Sequence, residues 1–261
     1  MRILPLAVTA LLALAPTALA QENASPWSLA EQYYDPAEMR ASRQAVQKAN
    51  GDQKHSLFMA DRIELQSTNG EDILLWDAQA WYGTDENKLW IKTEGEFSFA
   101  SDTIEDAEIQ ALWSHAISTY FDLQAGLRYD LDPKGRTHGV IGVQGLAPYW
   151  FEIDAATFIS TDGDITARVE AEYDMRFTQR LILQPRLELE FSAQDIPTLD
   201  LGTGFTSFDA GLRLRYEVTR EFSPYIGVEW QRALRSTADI VRANGEDASK
   251  TAFVIGIRAW Y

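Results

Sequence analysis

The sequence predicts an all-β chain: a transmembrane antiparallel up-and-down β-barrel of about 12 strands, behind a short N-terminal arm that is helical or disordered. Three observations predict it. Apolar and polar residues alternate with period two from about Ser56 to the last residue, Tyr261. The alternating runs are long: ITARVEAEYDMRF covers 165–177, whereas a soluble strand has about five or six residues. The connections are also unequal. Every second one is short, and the two longest, AQDIPTLDLGTGFT and ALRSTADIVRANGEDASK, fall in the other set. That is the difference between the two ends of an outer-membrane barrel. A soluble β-sandwich with one wet face explains the alternation but not the loops or the strand lengths.

Residues 1–20, MRILPLAVTALLALAPTALA, carry one basic residue (Arg2), an apolar stretch from Ile3 to about Leu14, and Ala18-Leu19-Ala20 as a small-residue cleavage site. This is the layout of a secretory signal peptide cut before Gln21. The apolar part is short and holds Pro5 and Pro16, which argues against a membrane anchor. The chain has no Cys, so the signal is not of the lipid-attached kind and no disulfide supports the fold. Cleavage removes only Arg2: the 23 basic residues become 22 against 39 acidic, and the formal charge moves from −16 to −17. Nucleic acid is excluded as a partner on that balance. No later apolar run approaches the ~20 residues of a spanning helix, so a membrane crossing falls to strands.

Residues 21–55 form a polar arm. Asp35-Pro36-Ala37-Glu38 reads as a helix start, with Asp35 as cap, Pro36 in the first turn and Glu38 at the capping-box position; Asn50-Gly51 ends it. The face it would bury is mostly Ala with Met39 and Val46, which suits a loosely docked or mobile helix.

The barrel is expected over residues 56–261, with strands near 56–66, 72–83, 87–99, 104–117, 119–131, 138–146, 149–160, 164–177, 180–192, 205–218, 221–232 and 249–261. An even number suits a single-chain barrel. In ILLWDAQAWY (73–82), Leu74, Trp76, Ala78, Ala80 and Tyr82 share one side, opposite Asp77 and Gln79. Strand one breaks the pattern. Arg62 and Glu64 place the even positions inward, which turns Asp61 toward lipid unless a β-bulge intervenes.

Aromatics collect beside the short connections: Trp81 and Tyr82, Tyr120 and Phe121, Tyr149 to Phe151, Phe177, Phe222 and Tyr225, with Trp260 and Tyr261 at the same level. Amphipathic rings there form an interfacial girdle. In the closing FVIGIRAWY, Phe253, Ile255, Ile257, Ala259 and Tyr261 fall on one side, as a last strand facing lipid requires.

The opposite faces point into the lumen. They carry Glu94, Glu96, Glu170, Glu172, Asp174, Arg186, Glu188, Glu190, Arg213, Arg215, Glu217 and Arg258, with acids in excess. An Arg ladder from strands nine, ten and twelve is placed to cross-link to Glu rows on strands eight and nine. These charges either plug and stiffen a small barrel or make an acidic interior that attracts or passes cations.

Catalytic groups are sparse, and no enzyme is expected. His115 follows Ser114 on a strand, so the two face opposite ways. His138 reads as a solvated His by the DPKGRT loop, with Asp130 and Asp132 near in sequence. No GxGxxG, P-loop, HExxH or EF-hand pattern is present. For a metal, His55 and Met59, four apart where strand one begins, are the candidate ligands at the periplasmic mouth.

Several long segments together carry a family likeness: WDAQAWYGTDENKLWIKTEGE (76–96), DLQAGLRYD (122–130), GVQGLAPYWFE (142–152), EAEYDMRFTQRLILQPRLE (170–188), GLRLRYEVTREFSPYIGVEW (211–230) and the closing GIRAWY. From residue 56 to the end the chain resembles the copper resistance protein B family, CopB. The resemblance implies a copper resistance protein in the outer membrane of a Gram-negative bacterium, surrounded by outer-membrane lipid. It would contribute to periplasmic copper homeostasis by binding copper ions or controlling their passage, alongside a periplasmic multicopper oxidase. Copper ion is thus the implied cofactor. The alternatives are a structural or general-diffusion barrel and an outer-membrane hydrolase. The family often has a Met- and His-rich stretch ahead of the barrel, whereas residues 21–55 here hold only Met39 and His55. Multi-ion capture by the arm is not expected.

Overall fold

A computed structural model describes residues 26–51, 53–68 and 71–261. The expected signal peptide at residues 1–20 lies outside the described residues. The chain divides into two units, Met1–Asp52 and Gln53–Tyr261.

In the first unit a 3₁₀ segment, Pro26–Gln32, precedes helix α1 (Pro36–Asn50). The helix starts where its cap demands: Asp35 Oδ1 accepts from the amides of Ala37 at 2.7 Å and Glu38 at 3.2 Å. Gly51 closes the other end by donating its amide to Gln47 O at 2.7 Å. No residue of α1 is buried, as its alanine-rich face leads one to expect. An Arg43–Glu31 ion pair ties the helix to the 3₁₀ segment.

The second unit is a closed barrel of twelve antiparallel strands: β1 (His55–Thr68), β2 (Glu71–Gly83), β3 (Asn87–Ser98), β4 (Thr103–Ala116), β5 (Phe121–Asp132), β6 (Arg136–Ala147), β7 (Phe151–Ser160), β8 (Ile165–Glu172, resuming at Met175–Arg176), β9 (Leu181–Ser192), β10 (Gly204–Tyr216), β11 (Phe222–Ala233) and β12 (Ser249–Trp260). Neighbours in sequence pair, and β12 pairs with β1 to close the sheet. At about 3.3 Å per residue a strand of this length is about 40 Å long, and tilted by roughly 40° it is long enough to cross the ~25 Å apolar band of an outer membrane. Both chain ends of the barrel and the connections 84–86, 117–120, 148–150, 177–180 and 217–221 lie at one end, here the turn end. The long connections 193–203 and 234–248 lie at the other, the loop end.

The barrel is inverted relative to a soluble domain. Among the described residues, 23 buried side chains are polar or charged and 12 are hydrophobic, while Phe253 and Ile255 are 74% and 60% exposed. Strand one contains the bulge that Asp61 requires. Its register shifts between Ala60 and Arg62 against β2, and between Ala60 and Ile63 against β12. Asp61 and Arg62, adjacent in sequence, therefore both face the lumen.

Four expectations need correction. The connection 234–248 is not plain loop but holds helix α2 (Arg235–Ala243), whose Thr237 and Ala238 are buried; a period-two reading passes over so short a helix. Strand β7 starts two residues late, because Tyr149 and Trp150 both take φ +68° in the turn before it. Tyr225 is not in the girdle. It occupies an inward position of β11, 4% exposed, and its hydroxyl donates to Glu64 Oε2 at 2.9 Å. Trp81 also leaves the girdle: its ring packs on Trp90, with Lys88 Nζ 5.8 Å from its centroid. Proximity to a turn sets a residue's height, but only strand phase sets its face.

Candidate functional site

The lumen contains a cavity of about 460 Å³ that reaches the turn end, where Thr119 and Tyr120 line it. Strands β1 to β8 supply its walls. Nine carboxylates line it against two basic residues, Lys92 and Arg168. Eight of the nine meet a cation: Lys88 Nζ lies 2.7 Å from Asp122 Oδ2, Lys92 pairs with Asp154, and Arg62, Arg128, Arg168, Arg186 and Arg258 reach in from the wall to Asp77, Glu94, Glu108, Glu170, Glu172 and Asp61. The nine carboxylates share seven cations, so acid is in excess in an enclosure whose walls concentrate field lines.

A belt of ion pairs stops the cavity at mid-height. Arg168 of β8 crosses to Glu94 of β3 at 2.8 Å and Glu108 of β4 at 3.4 Å, and holds Glu188 and Glu190 of β9 at 3.5 and 3.3 Å. Arg62 of β1 meets Asp77 at 3.0 Å and Glu94 at 2.9 Å. Arg128 completes the far side with Glu108 at 2.7 Å and Asp130 at 2.6 Å. These are charge-assisted contacts among rigid strands, and they span the bore.

Above the belt the two long connections interlock. Gly202 donates its amide to Thr237 Oγ1 at 3.0 Å, and the Ser236 hydroxyl donates to Thr203 O at 3.3 Å. Arg136 Nη2 donates to Thr198 Oγ1 at 3.0 Å, tying β6 to the same cover. Beneath it remains a space of about 80 Å³. His138 lines that space; it is 6% exposed, with Nδ1 3.6 Å from Asp130 Oδ2. The expectation of a solvated loop His is therefore wrong, because β6 begins at Arg136 and turns position 138 inward.

The other expected lumen residues fall as follows. Arg186 binds Glu170 at 2.6 Å, Glu172 at 3.4 Å and also Glu188, and Arg215 reaches Asp174 at 2.6 Å. Arg213 turns the other way, to Glu64 of β1 at 2.8 Å and Glu229 of β11 at 3.0 Å, and Arg258 meets Asp61 at 3.0 Å. The ladder thus closes across the β12–β1 seam as well as onto β8 and β9. Glu217 sits between Arg176 at 3.4 Å and Arg220 at 3.6 Å, and Glu96 faces Asp106 across β3 and β4. Ser114 is inward, its hydroxyl 3.1 Å from Asp122 Oδ2, while His115 is outward, stacked on Trp113.

His55 opens β1 at the turn end and is exposed; Met59 lies directly opposite Trp260 of β12, with its sulfur toward Arg258. Four residues of strand separate their Cα atoms by about 13 Å. Among the described residues no three His, Cys, Asp or Glu side chains are grouped to hold one metal ion. The donors at hand are carboxylate oxygens, with one thioether at the mouth and no thiolate, a set that fits weakly held Cu(II) better than a tight Cu(I) chelate. Asp61, missed as a lumen residue by simple alternation, was detectable in the sequence as a charge at an impossible phase.

The family model described as Copper resistance protein B precursor (CopB) matches residues 54–261. A copper resistance protein B homolog of Pseudomonas syringae pv. tomato (strain ATCC BAA-871 / DC3000) is 40% identical over 228 residues, 85% of this chain and 77% of that protein. Copper resistance protein B of Escherichia coli is 41% identical over 206 residues, 78% of this chain and 69% of that protein. Among solved structures, the NanC porin superposes with a TM-score of 0.52 at 13% identity, covering 78% of this chain and 99% of that one. At that identity the likeness speaks for the barrel fold.

Proposed function

The chain belongs to the copper resistance protein B family, and from that premise we propose that it sits in the outer membrane with its turn end toward the periplasm and draws copper ions into the acidic lower lumen. Copper is cargo in this reading. The observation that carries it is the acid-rich lining of the 460 Å³ cavity, nine carboxylates sharing seven cations, open at the turn end and stopped by the ion-pair belt. A cation entering there is attracted by the surplus charge, is held by oxygen donors that exchange readily, and meets a barrier before the loop end. The belt and interlocked loops also argue against free diffusion of sugars, the behaviour of a general porin.

His55 and Met59 stand at the mouth, where copper would first meet the chain. The exported signal, the outer-membrane site and a multicopper oxidase working beside the barrel belong to the same proposal. Titration of the refolded barrel with Cu(II), with and without His55→Ala, is the test: saturable uptake at micromolar copper is expected, and its absence defeats the reading. In cells, loss of the gene should sensitise to copper and not to zinc or detergent. Sensitivity to detergent alone would identify an envelope-integrity barrel instead.

A further inference from the structure

The bulge in β1 assembles a group that an acidic lining alone does not account for. Asp61 is turned to the lumen two residues after Met59, and a single nitrogen lies against both: Arg258 Nη2, 3.0 Å from Asp61 Oδ1 and 3.5 Å from Met59 Sδ. A thioether is a poor acceptor for a guanidinium. The rest of the group is no better served, since Arg258 Nε is buried without a hydrogen-bond partner. Carboxylates that would suit it stand near: Glu152, Glu172 and Asp174 all act electrostatically on Arg258. Gln79 donates to the second oxygen of Asp61, which fixes the direction in which Oδ1 points.

A sulfur and a carboxylate oxygen converging on one positive point are a donor pair for a borderline-to-soft cation. Thioether suits Cu(I), and carboxylate suits Cu(II). Hard cations gain nothing from the sulfur. We propose that Met59 and Asp61 form a copper-binding pair at the turn-end mouth, and that Arg258 is a tethered stand-in cation which an arriving copper ion displaces. This rests on the copper-handling reading above and specifies where that copper is first held. In the exchange Nη2 leaves Sδ and Oδ1, the ion takes both as ligands with water in its remaining positions, and the guanidinium moves toward the carboxylates of Glu152 and Glu172. One cation replaces another at the pair and no redox step is involved. Two protein ligands and a competing arginine keep the ion exchangeable, as a transfer site needs.

The experiment is X-ray absorption at the copper edge on the refolded full-length protein, loaded with Cu(I) under reducing conditions, together with binding titrations using Ag(I) as a redox-inert substitute. Wild type is expected to show a sulfur scatterer in the copper coordination sphere. Met59→Leu, close to it in volume, should lose that scatterer and bind Ag(I) at least tenfold more weakly; Arg258→Gln, with the internal competitor gone, should bind about tenfold more tightly. Wild type without a sulfur scatterer, or Met59→Leu binding Ag(I) like wild type, overturns the proposal, and Met59→Leu alone decides the matter should Arg258→Gln fail to fold. Failure of the wider reading has a different signature. Then Glu152→Gln with Asp154→Asn would leave copper uptake unchanged, whereas failure of the pair alone leaves carboxylate-dependent uptake intact without sulfur.

Discussion

The two sides of the lumen are built from the same residue types and become different materials. On the side of β10 to β12 and β1, Glu64 receives Arg213 Nε at 3.0 Å and Nη2 at 2.8 Å, the Tyr225 hydroxyl at 2.9 Å and Gln66 Nε2 at 2.8 Å. Arg213 and Glu64 are 2% and 1% exposed. Glycine makes the room: a Cβ on Gly256 would meet Tyr225 Cζ at 2.6 Å and Glu64 Cβ at 2.7 Å. On the side of β2 to β8 the carboxylates outnumber their cations, and the space stays open. Charge balance therefore decides packing. A buried carboxylate is tolerable only when donors replace its water, so matched charges can be packed dry and surplus ones must stay wet.

Breaking the dry side should have the largest effect. Glu64→Ala strands Arg213 and Tyr225 without their acceptor, and is expected to cost about 3–5 kcal/mol, read from urea unfolding of the refolded barrel followed by tryptophan fluorescence. A cost below about 1 kcal/mol would mean that the seam is not held by this network. Gly256→Ala should come next, at roughly 1–3 kcal/mol from overpacking against Tyr225 and Glu64, in the same assay.

The wet side should respond in binding and barely in stability. Glu152→Gln with Asp154→Asn is expected to shift unfolding by less than about 1 kcal/mol, because Glu152 is exposed and the Lys92–Asp154 pair is partly open to solvent, while copper uptake in a Cu(II) titration falls severalfold. Smallest is the effect of salt. Raising ionic strength from about 0.05 to 0.5 M shortens the screening length well below the width of the bore and should weaken copper uptake a few-fold, with the unfolding midpoint of the dry side almost unmoved. Equal salt sensitivity on both sides would mean that the two sides of the lumen do not differ in this way.

Much of this was legible beforehand, and for a local reason. Strand alternation, strand length and the helix cap at Asp35 depend on residues a few positions apart, so all twelve strands lie within two residues of their expected bounds. Asp61 even announced the bulge. Tyr225, Trp81 and His138 are not legible in this way, because adjacency to a turn reports height along the barrel and not which face a side chain takes. Helix α2 escaped because nothing in its own sequence caps it; its buried Thr237 is held by Gly202, 35 residues away.

By itself, then, the amino-acid order determined that this chain is a barrel with apolar flanks and a charged bore, since alternation along a strand needs no knowledge of its neighbours. Tertiary structure alone decided which charges cancel. Tyr225 and Glu64 lie 161 residues apart, Arg168 and Glu94 lie 74 apart, and only closure of the sheet fixes the rotation and height at which such partners meet. The wet acidic cavity is what that closure leaves over, and Coulomb energy at a few ångströms in a confined bore is too steep with distance for composition to foretell it.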